Sequence, residues 1–202
     1  MSSGSSFIAL LRERFSLAGD ISQEDAERLW GHFELLSRWN RVINLTGVHS
    51  MEQVVVRHYC ESLFLALHLP AEAVSVVDVG SGAGFPGIPM AVVRPDCRLT
   101  LAESHARKVA FLKEATRDLP QVRVYHGRAE SLPSGFDWLT SRAVAWRELR
   151  EFAARLAKTI GLLVGSADAE KIMSSPGFEW RTPEPLPWGG KGVLLLGTAR
   201  ST

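Results

Sequence analysis

Val76-Val77-Asp78-Val79-Gly80-Ser81-Gly82-Ala83-Gly84-Phe85-Pro86-Gly87-Ile88-Pro89 sets four glycines and two prolines directly after a short apolar run. Glycine lets a chain turn sharply and lets another group approach its backbone closely. A glycine-rich first turn is where a doubly wound α/β sheet receives its ligand. Two spacings overlap here. Gly82 to Gly87 fits G-x-G-x-x-G, the dinucleotide pattern, whereas Asp78 to Gly84 fits D-x-G-x-G-x-G. The first would seat a pyrophosphate on free amides at a helix N-terminus, but Pro86 and Pro89 have no amide to give. S-adenosylmethionine carries a sulfonium cation and no phosphate, so it asks only for close backbone approach. The second reading suits it better and marks Asp78, Gly80, Gly82 and Gly84 as cofactor-binding. A third reading, in which the glycines serve only the strand-to-helix turn, stands beside both.

Outward from the turn, the apolar runs Val74–Val79, Leu99–Ala102, Val122–Tyr125, Trp138–Thr140 and Ile160–Val164 alternate with helical patterns. The clearest helices are Val109 to Leu119 and Glu148 to Ala157. Such alternation predicts βαβ units and a mostly parallel sheet. The last run, Val193–Thr198, follows the Pro- and Gly-rich segment 183–192 without a long helix, which predicts an antiparallel final strand. Before the turn, Ala26, Leu29, Trp30, Phe33 and Leu36 recur at helical spacing. Ser22 with Asp25 and Ser50 with Gln53 read as helix N-caps, so residues 7–69 are expected to be helical. Met1 to Ser6 is expected to be a disordered leader. Glu103 closes the second strand 19 positions after Gly84, where an acid accepts hydrogen bonds from ribose hydroxyls. It could equally cap the helix beginning near His105. Ala129 and Glu130 sit where a loop can frame an adenine.

The 202 residues are 46% hydrophobic and 22% charged, with a net charge of +1. This predicts one well-buried domain with no global attraction to nucleic acid. No apolar run approaches the roughly 20 residues of a membrane span, so the expected address is cytoplasmic. Cys60 and Cys97 form no metal or redox pair and the six histidines show no metal spacing. His32 and His68 are expected on helix faces. Basic residues crowd residues 94–128, among them Arg94, Arg107 and Lys108.

Asp78 to Pro89, Arg94-Pro95, Glu103-Ser104 with Arg107-Lys108, Arg128-Ala129-Glu130 and Ser141-Arg142-Ala143 together resemble the glucose-inhibited division protein B family. These are the bacterial ribosomal small-subunit RNA methyltransferases of type G. Trp39-Asn40 with Asn44-Leu45-Thr46, and Arg57-His58 with Glu61-Ser62, also resemble it. The resemblance implies a class I S-adenosylmethionine-dependent methyltransferase fold, Rossmann-like, with a helical extension (1–73) packed on an α/β core (74–202) as one domain. It implies methyl transfer to guanine N7 in 16S ribosomal RNA. Gly80, Phe85, Ala129, Glu130 and Arg142 would touch the donor, with Glu103 on the ribose. Two departures stand out: Leu162 to Ser166 lacks a lysine expected after the fifth strand, and the C-terminus lacks a basic ending.

The chemistry agrees with that implication. N7 carries an unprotonated lone pair, so no general base is needed. The fourth strand ends Thr140-Ser141-Arg142-Ala143, unlike the Asn-Pro-Pro-Tyr turn expected for base amines. Arg142 is the expected catalytic residue, orienting the donor carboxylate or the guanine edge. Arg57, His58, Arg94, Arg107 and Lys108 are the expected holders of RNA phosphates. The partner would be 16S ribosomal RNA or the small subunit, and the protein a monomer without metal. Alternatives are an NAD-dependent oxidoreductase and a noncatalytic RNA-binding or ribosome-assembly protein with a nucleoside pocket.

Overall fold

The computed structural model describes residues 3–47 and 50–200. Among these residues eight strands form one sheet: β1 (Ser75–Val79), β2 (Arg98–Glu103), β3 (Val122–His126), β4 (Phe136–Arg142), β5 (Ala157–Gly165), β6 (Phe178–Trp180), β7 (Glu184–Pro185) and β8 (Gly192–Ala199). Their order is β3-β2-β1-β4-β5-β8-β6, with β7 also paired to β8. The first five strands run parallel and β8 is antiparallel to β5. Both faces of the parallel strands are covered, which is why they read as continuous apolar runs. Alternate residues serve opposite cores. Val76, Leu99 and Leu101 join one; Val77, Val79, Leu139 and Leu162 join the other.

The first core is built largely by the N-terminal helices, α1 (Ser3–Phe15), α2 (Gln23–Trp39), α3 (Met51–Val54) and α4 (Glu61–Leu67). A π-helical segment, Val55–Cys60, joins α3 to α4 without a break. Both expected caps form: Ser22 Oγ accepts from the Asp25 amide at 3.0 Å and Ser50 Oγ from the Gln53 amide at 3.2 Å. The helical region is interrupted at residues 16–22 and 40–47. Ser3 to Ser6, expected in a disordered leader, instead form the first turn of α1; Met1 and Ser2 lie outside the described residues. The reason is tertiary. Phe7, Leu11 and Phe15 are buried at successive helical turns, and Phe7 packs against Trp30, Phe33 and Tyr59.

On the same face lie α5 (Gly87–Val93) and α6 (Ala106–Ala115); α7 (Trp146–Leu149), α8 (Ala153–Leu156) and α9 (Ser166–Met173) serve the opposite core. The helix expected over Glu148–Ala157 is reduced to the two single turns α7 and α8, and Ala157 already pairs with Phe136 in the sheet. Among the described residues no helix is long and apolar enough to cross a membrane.

Candidate active site

β1 lies between β2 and β4: the chain runs outward from β1 through β2 to β3 and then crosses back to β4 on the other side of β1, and this reversal opens a crevice at the carboxyl ends of the strands. A cavity of about 1360 Å³ occupies it. Its lining includes Gly80, Gly82, Phe85, Glu103, Ala129, Glu130 and Arg142, which brings together residues separated by more than 60 positions.

The glycine turn divides into two kinds of position. Gly84 has φ +86°, and a Cβ there would meet Ile88 Cδ1 at 2.3 Å and Cγ1 at 2.8 Å; its smallness serves packing of α5. Gly82 also has positive φ, +56°, but a Cβ there would meet only the Gly80 carbonyl, at 3.7 Å. Gly82 lines the cavity and Gly84 does not, so a ligand can reach the backbone at the first and not at the second.

The start of α5 offers no anion site. The Gly84 and Phe85 amides donate to Ser81 O and the Ile88 amide to Gly84 O. The Gly87 amide donates to Asp78 Oδ2 at 3.1 Å, and Pro86 has none. A pyrophosphate needs such amides free.

Asp78, expected at the cofactor, is fully buried behind the turn and absent from the cavity wall. It clips the turn to α5 through Gly87 and accepts from Thr140 Oγ1 at 3.4 Å. Burial pushes its carboxyl up to about 7, against the downward pull of Ser81, Gly87 and Thr140. The folded state therefore keeps this proton between pH 4 and 7 while the unfolded chain releases it. Stability is full below pH 4 and falls as pH rises through that window, by an amount on the order of 4 kcal/mol. Asp78→Asn, followed by denaturant unfolding at several pH values, should gain on the wild type by about that much from pH 4 to pH 7. Parallel curves would refute a buried protonated carboxyl.

Glu103, at the end of β2, takes the Gly82 amide on Oε2 at 3.0 Å and the His105 amide on Oε1 at 2.8 Å. It caps the segment entering α6, as one reading expected, and it also lines the cavity. Burial raises its carboxyl, but His105, Lys108 and Gly82 outweigh this and keep it below the usual range. Ala129 and Glu130 form a 3₁₀ turn. Arg155 grips that turn from α8, donating to Glu130 O at 2.6 Å and Leu132 O at 2.8 Å, a role no local pattern announced.

At the end of β4, Arg142 meets Glu61 Oε2 at 3.3 Å and the Nδ1 of His58. His58 Nε2 lies 2.9 Å from Thr46 Oγ1, and its ring stacks on Phe85 with centroids 4.8 Å apart. Burial, then Arg142 and Arg57, push His58 down to about 3. It is a neutral, largely buried group on the cavity wall, with both ring nitrogens engaged by Thr46 and Arg142 where it was expected to hold a phosphate. His32 is likewise interior, with Nε2 3.1 Å from Ala83 O and Nδ1 2.9 Å from Tyr59 Oη. A carbonyl can only accept, so Nε2 carries the proton and Tyr59 donates to Nδ1. His32, expected merely on a helix face, thus holds the glycine turn from α2.

Of the other expected phosphate contacts, Arg57 and Lys108 line the cavity and Arg107 is exposed outside it. Arg94 points elsewhere. Its guanidinium clamps Pro70 O at 2.8 Å, Glu72 O at 3.1 Å and Asp96, before β1 and away from the crevice. Arg128, Arg147 and Lys191 line the cavity as well. Lys191 O accepts the Ser166 amide at 2.7 Å, which places this residue of the loop before β8 beside the end of β5.

A family described as rRNA small subunit methyltransferase G (GidB) matches residues 25–171. The ribosomal RNA small subunit methyltransferase G of Sodalis glossinidius is 40% identical over 129 residues, 62% of each chain. That of a serogroup C Neisseria meningitidis is 41% identical over 138 residues, 67% of this chain and 65% of that protein. The match thus spans a little under two thirds of these relatives' length. Among solved structures, the magnesium protoporphyrin IX methyltransferase of Synechocystis, with bound SAH, aligns with TM-score 0.61 at 16% identity over 86% of this chain and 97% of that one. The 23S rRNA methyltransferase ErmE aligns with TM-score 0.56 at 15% identity, over 70% and 68%. These likenesses are of fold: a Rossmann-like class I methyltransferase sheet with an antiparallel last strand. With the glycine turn, Glu103 and Arg142 gathered at its switch point and most of the chain matched, the protein belongs to the rRNA small subunit methyltransferase G family.

Proposed function

We propose that this chain transfers a methyl group from S-adenosyl-L-methionine to N7 of a guanine in 16S ribosomal RNA, as naked RNA or within the small subunit, in the cytoplasm. The observation that carries the reading is the division of labour in the glycine turn. The amides at the start of α5 are bonded internally, while the backbone at Gly82 is open to the cavity beside the Glu103 carboxylate. That arrangement fits a nucleoside without a diphosphate. Family membership supports the choice of donor and of RNA.

Gly80, Gly82 and Phe85 would form the floor under the donor, Glu103 would accept from its ribose hydroxyls, and Ala129 with Glu130 would border its adenine. When bound, the sulfonium supplies an electrophilic methyl group whose departure leaves a neutral thioether. The protein's own part is alignment, which can contribute roughly 7–11 kcal/mol in favourable systems. Arg142 would orient guanine through its O6 edge, adjacent to the reacting nitrogen. The base must be unpaired or flipped to enter the crevice, with Arg57, Arg107 and Lys108 on the flanking phosphates. Residues 3–67 belong to the same functional unit, because Thr46, Arg57, His58 and Glu61 all come from them.

Calorimetry with S-adenosylmethionine, its demethylated product and NAD, followed by mass mapping of 7-methylguanine in 16S RNA, tests the reading. The first two should bind and NAD should not. Glu103→Gln should weaken donor binding by about 10- to 100-fold, the loss of hydrogen bonds to a charged acceptor. Binding of NAD alone, or a bound donor with no methylated guanine, would overturn it.

A further inference from the structure

Asn40, Thr46, His58 and Glu61 have no role in the chemistry described above, yet they converge on one side chain. Asn40 Oδ1 accepts the Leu45 amide at 2.8 Å and the Thr46 amide at 3.1 Å, and its Nδ2 donates to Thr46 O at 3.1 Å. The clamp fixes Thr46, whose Oγ1 meets His58 Nε2. An arginine side chain only donates. His58 Nδ1, facing Arg142 Nη1, must therefore accept, which leaves the ring's single proton on Nε2, pointing at Thr46. On its other side, Arg142 Nη2 meets Glu61. His58 and Glu61 stand three residues apart across the junction of the π-helical segment with α4, so one helix supplies both contacts. A π segment at such a place commonly marks a functional site.

We propose that His58 and Glu61 are positioning residues for Arg142, part of a chain Asn40–Thr46–His58–Arg142 that aims the guanidinium into the cavity. The proposal rests on the reading that Arg142 meets a ligand there. Two of the five N–H groups of the fork go to His58 and Glu61, the contacts Arg142 makes among the described residues, and the fork lines the cavity. Packing alone does not account for the arrangement, since an apolar ring would stack on Phe85 as well. A lysine at 142 would be a point charge without the fork that two acceptors can fix.

The test uses single-turnover methyl transfer by the full chain at saturating S-adenosylmethionine and 16S RNA. His58→Phe keeps a ring against Phe85 and removes the acceptor; its rate should fall on the order of 10- to 100-fold, as expected for a misplaced group. Donor affinity should stay within about twofold, because the donor floor is untouched. His58→Asn, whose amide oxygen can stand near the place of Nδ1, should recover most of the rate. In an Arg142→Lys background His58→Phe should add little, since both losses share one cause. Fully additive losses, or a wild-type rate in His58→Phe, would overturn the proposal. If His58→Phe does not fold, Glu61→Gln carries the same comparison. Nitrogen-15 NMR of the His58 ring at neutral pH supplies a readout free of activity: a proton on Nε2 alone is expected, and one on Nδ1 overturns the relay. A wild-type protein that methylates nothing would instead count against the proposed function, with the ring's tautomer still deciding the relay.

Discussion

Arg142→Ala should lower the rate of methyl transfer by about 100- to 1000-fold at saturating donor and RNA, the scale of removing one oriented charged donor from a water-poor site. The fold should survive. Glu61, left without its partner, would otherwise be a buried unpaired charge. Burial already raises its carboxyl, with Arg142 and then Arg57 opposing. Without Arg142 it rises further and takes a proton, which removes the charge. Donor affinity should therefore change little while turnover collapses, and the melting temperature should fall near neutral pH, where holding that proton costs stability, and less at lower pH. Single-turnover assays beside calorimetry separate these quantities, and an unimpaired rate would remove Arg142 from the catalytic machinery.

Gly84→Ala should act on the fold itself. Its backbone sits at φ +86°, and the added methyl would meet Ile88 Cδ1, Cγ1 and Cβ at 2.3, 2.8 and 3.3 Å. The left-handed conformation costs an alanine roughly 1–2 kcal/mol and overpacking a further 1–3 kcal/mol. Together they should lower the melting temperature by roughly 5–15 °C for a chain of this size. Gly82→Ala makes the contrast. It carries only the backbone cost, about 1–2 kcal/mol, but places its methyl where the donor is proposed to lie. Its loss should appear more in donor affinity than in melting. Two glycines two positions apart would thus fail by different routes, and equal melting of Gly84→Ala and wild type would refute the close packing of α5.

The architecture was legible because its signals are local. Apolar runs located the five parallel strands, the Pro- and Gly-rich segment before β8 announced the antiparallel return, and Ser22 and Ser50 marked helix starts to the residue. The first turn of α1 was not legible, because Ser3 to Ser6 carry no apolar period and are ordered by what Phe7, Leu11 and Phe15 bury. The lysine missing from 162–166 stays missing, and the place of Lys191 beside β5 was not legible either. Lys191 reaches that end of the strand across an antiparallel pair, which no inspection of 162–166 could reveal.

The amino-acid order alone determined the sheet, the crevice end and the small residues of the turn, since strand period, helix period and glycine's freedom act over a few neighbouring positions. Only the folded molecule decided which way each polar group faces. It turned Asp78 inward to a helix amide, sent Arg94 to the carbonyls before β1, and drew Thr46, His58 and Glu61 around Arg142. The reason is that a hydrogen bond between residues far apart in the chain depends on register and packing angle, and neither is written in any short stretch of it.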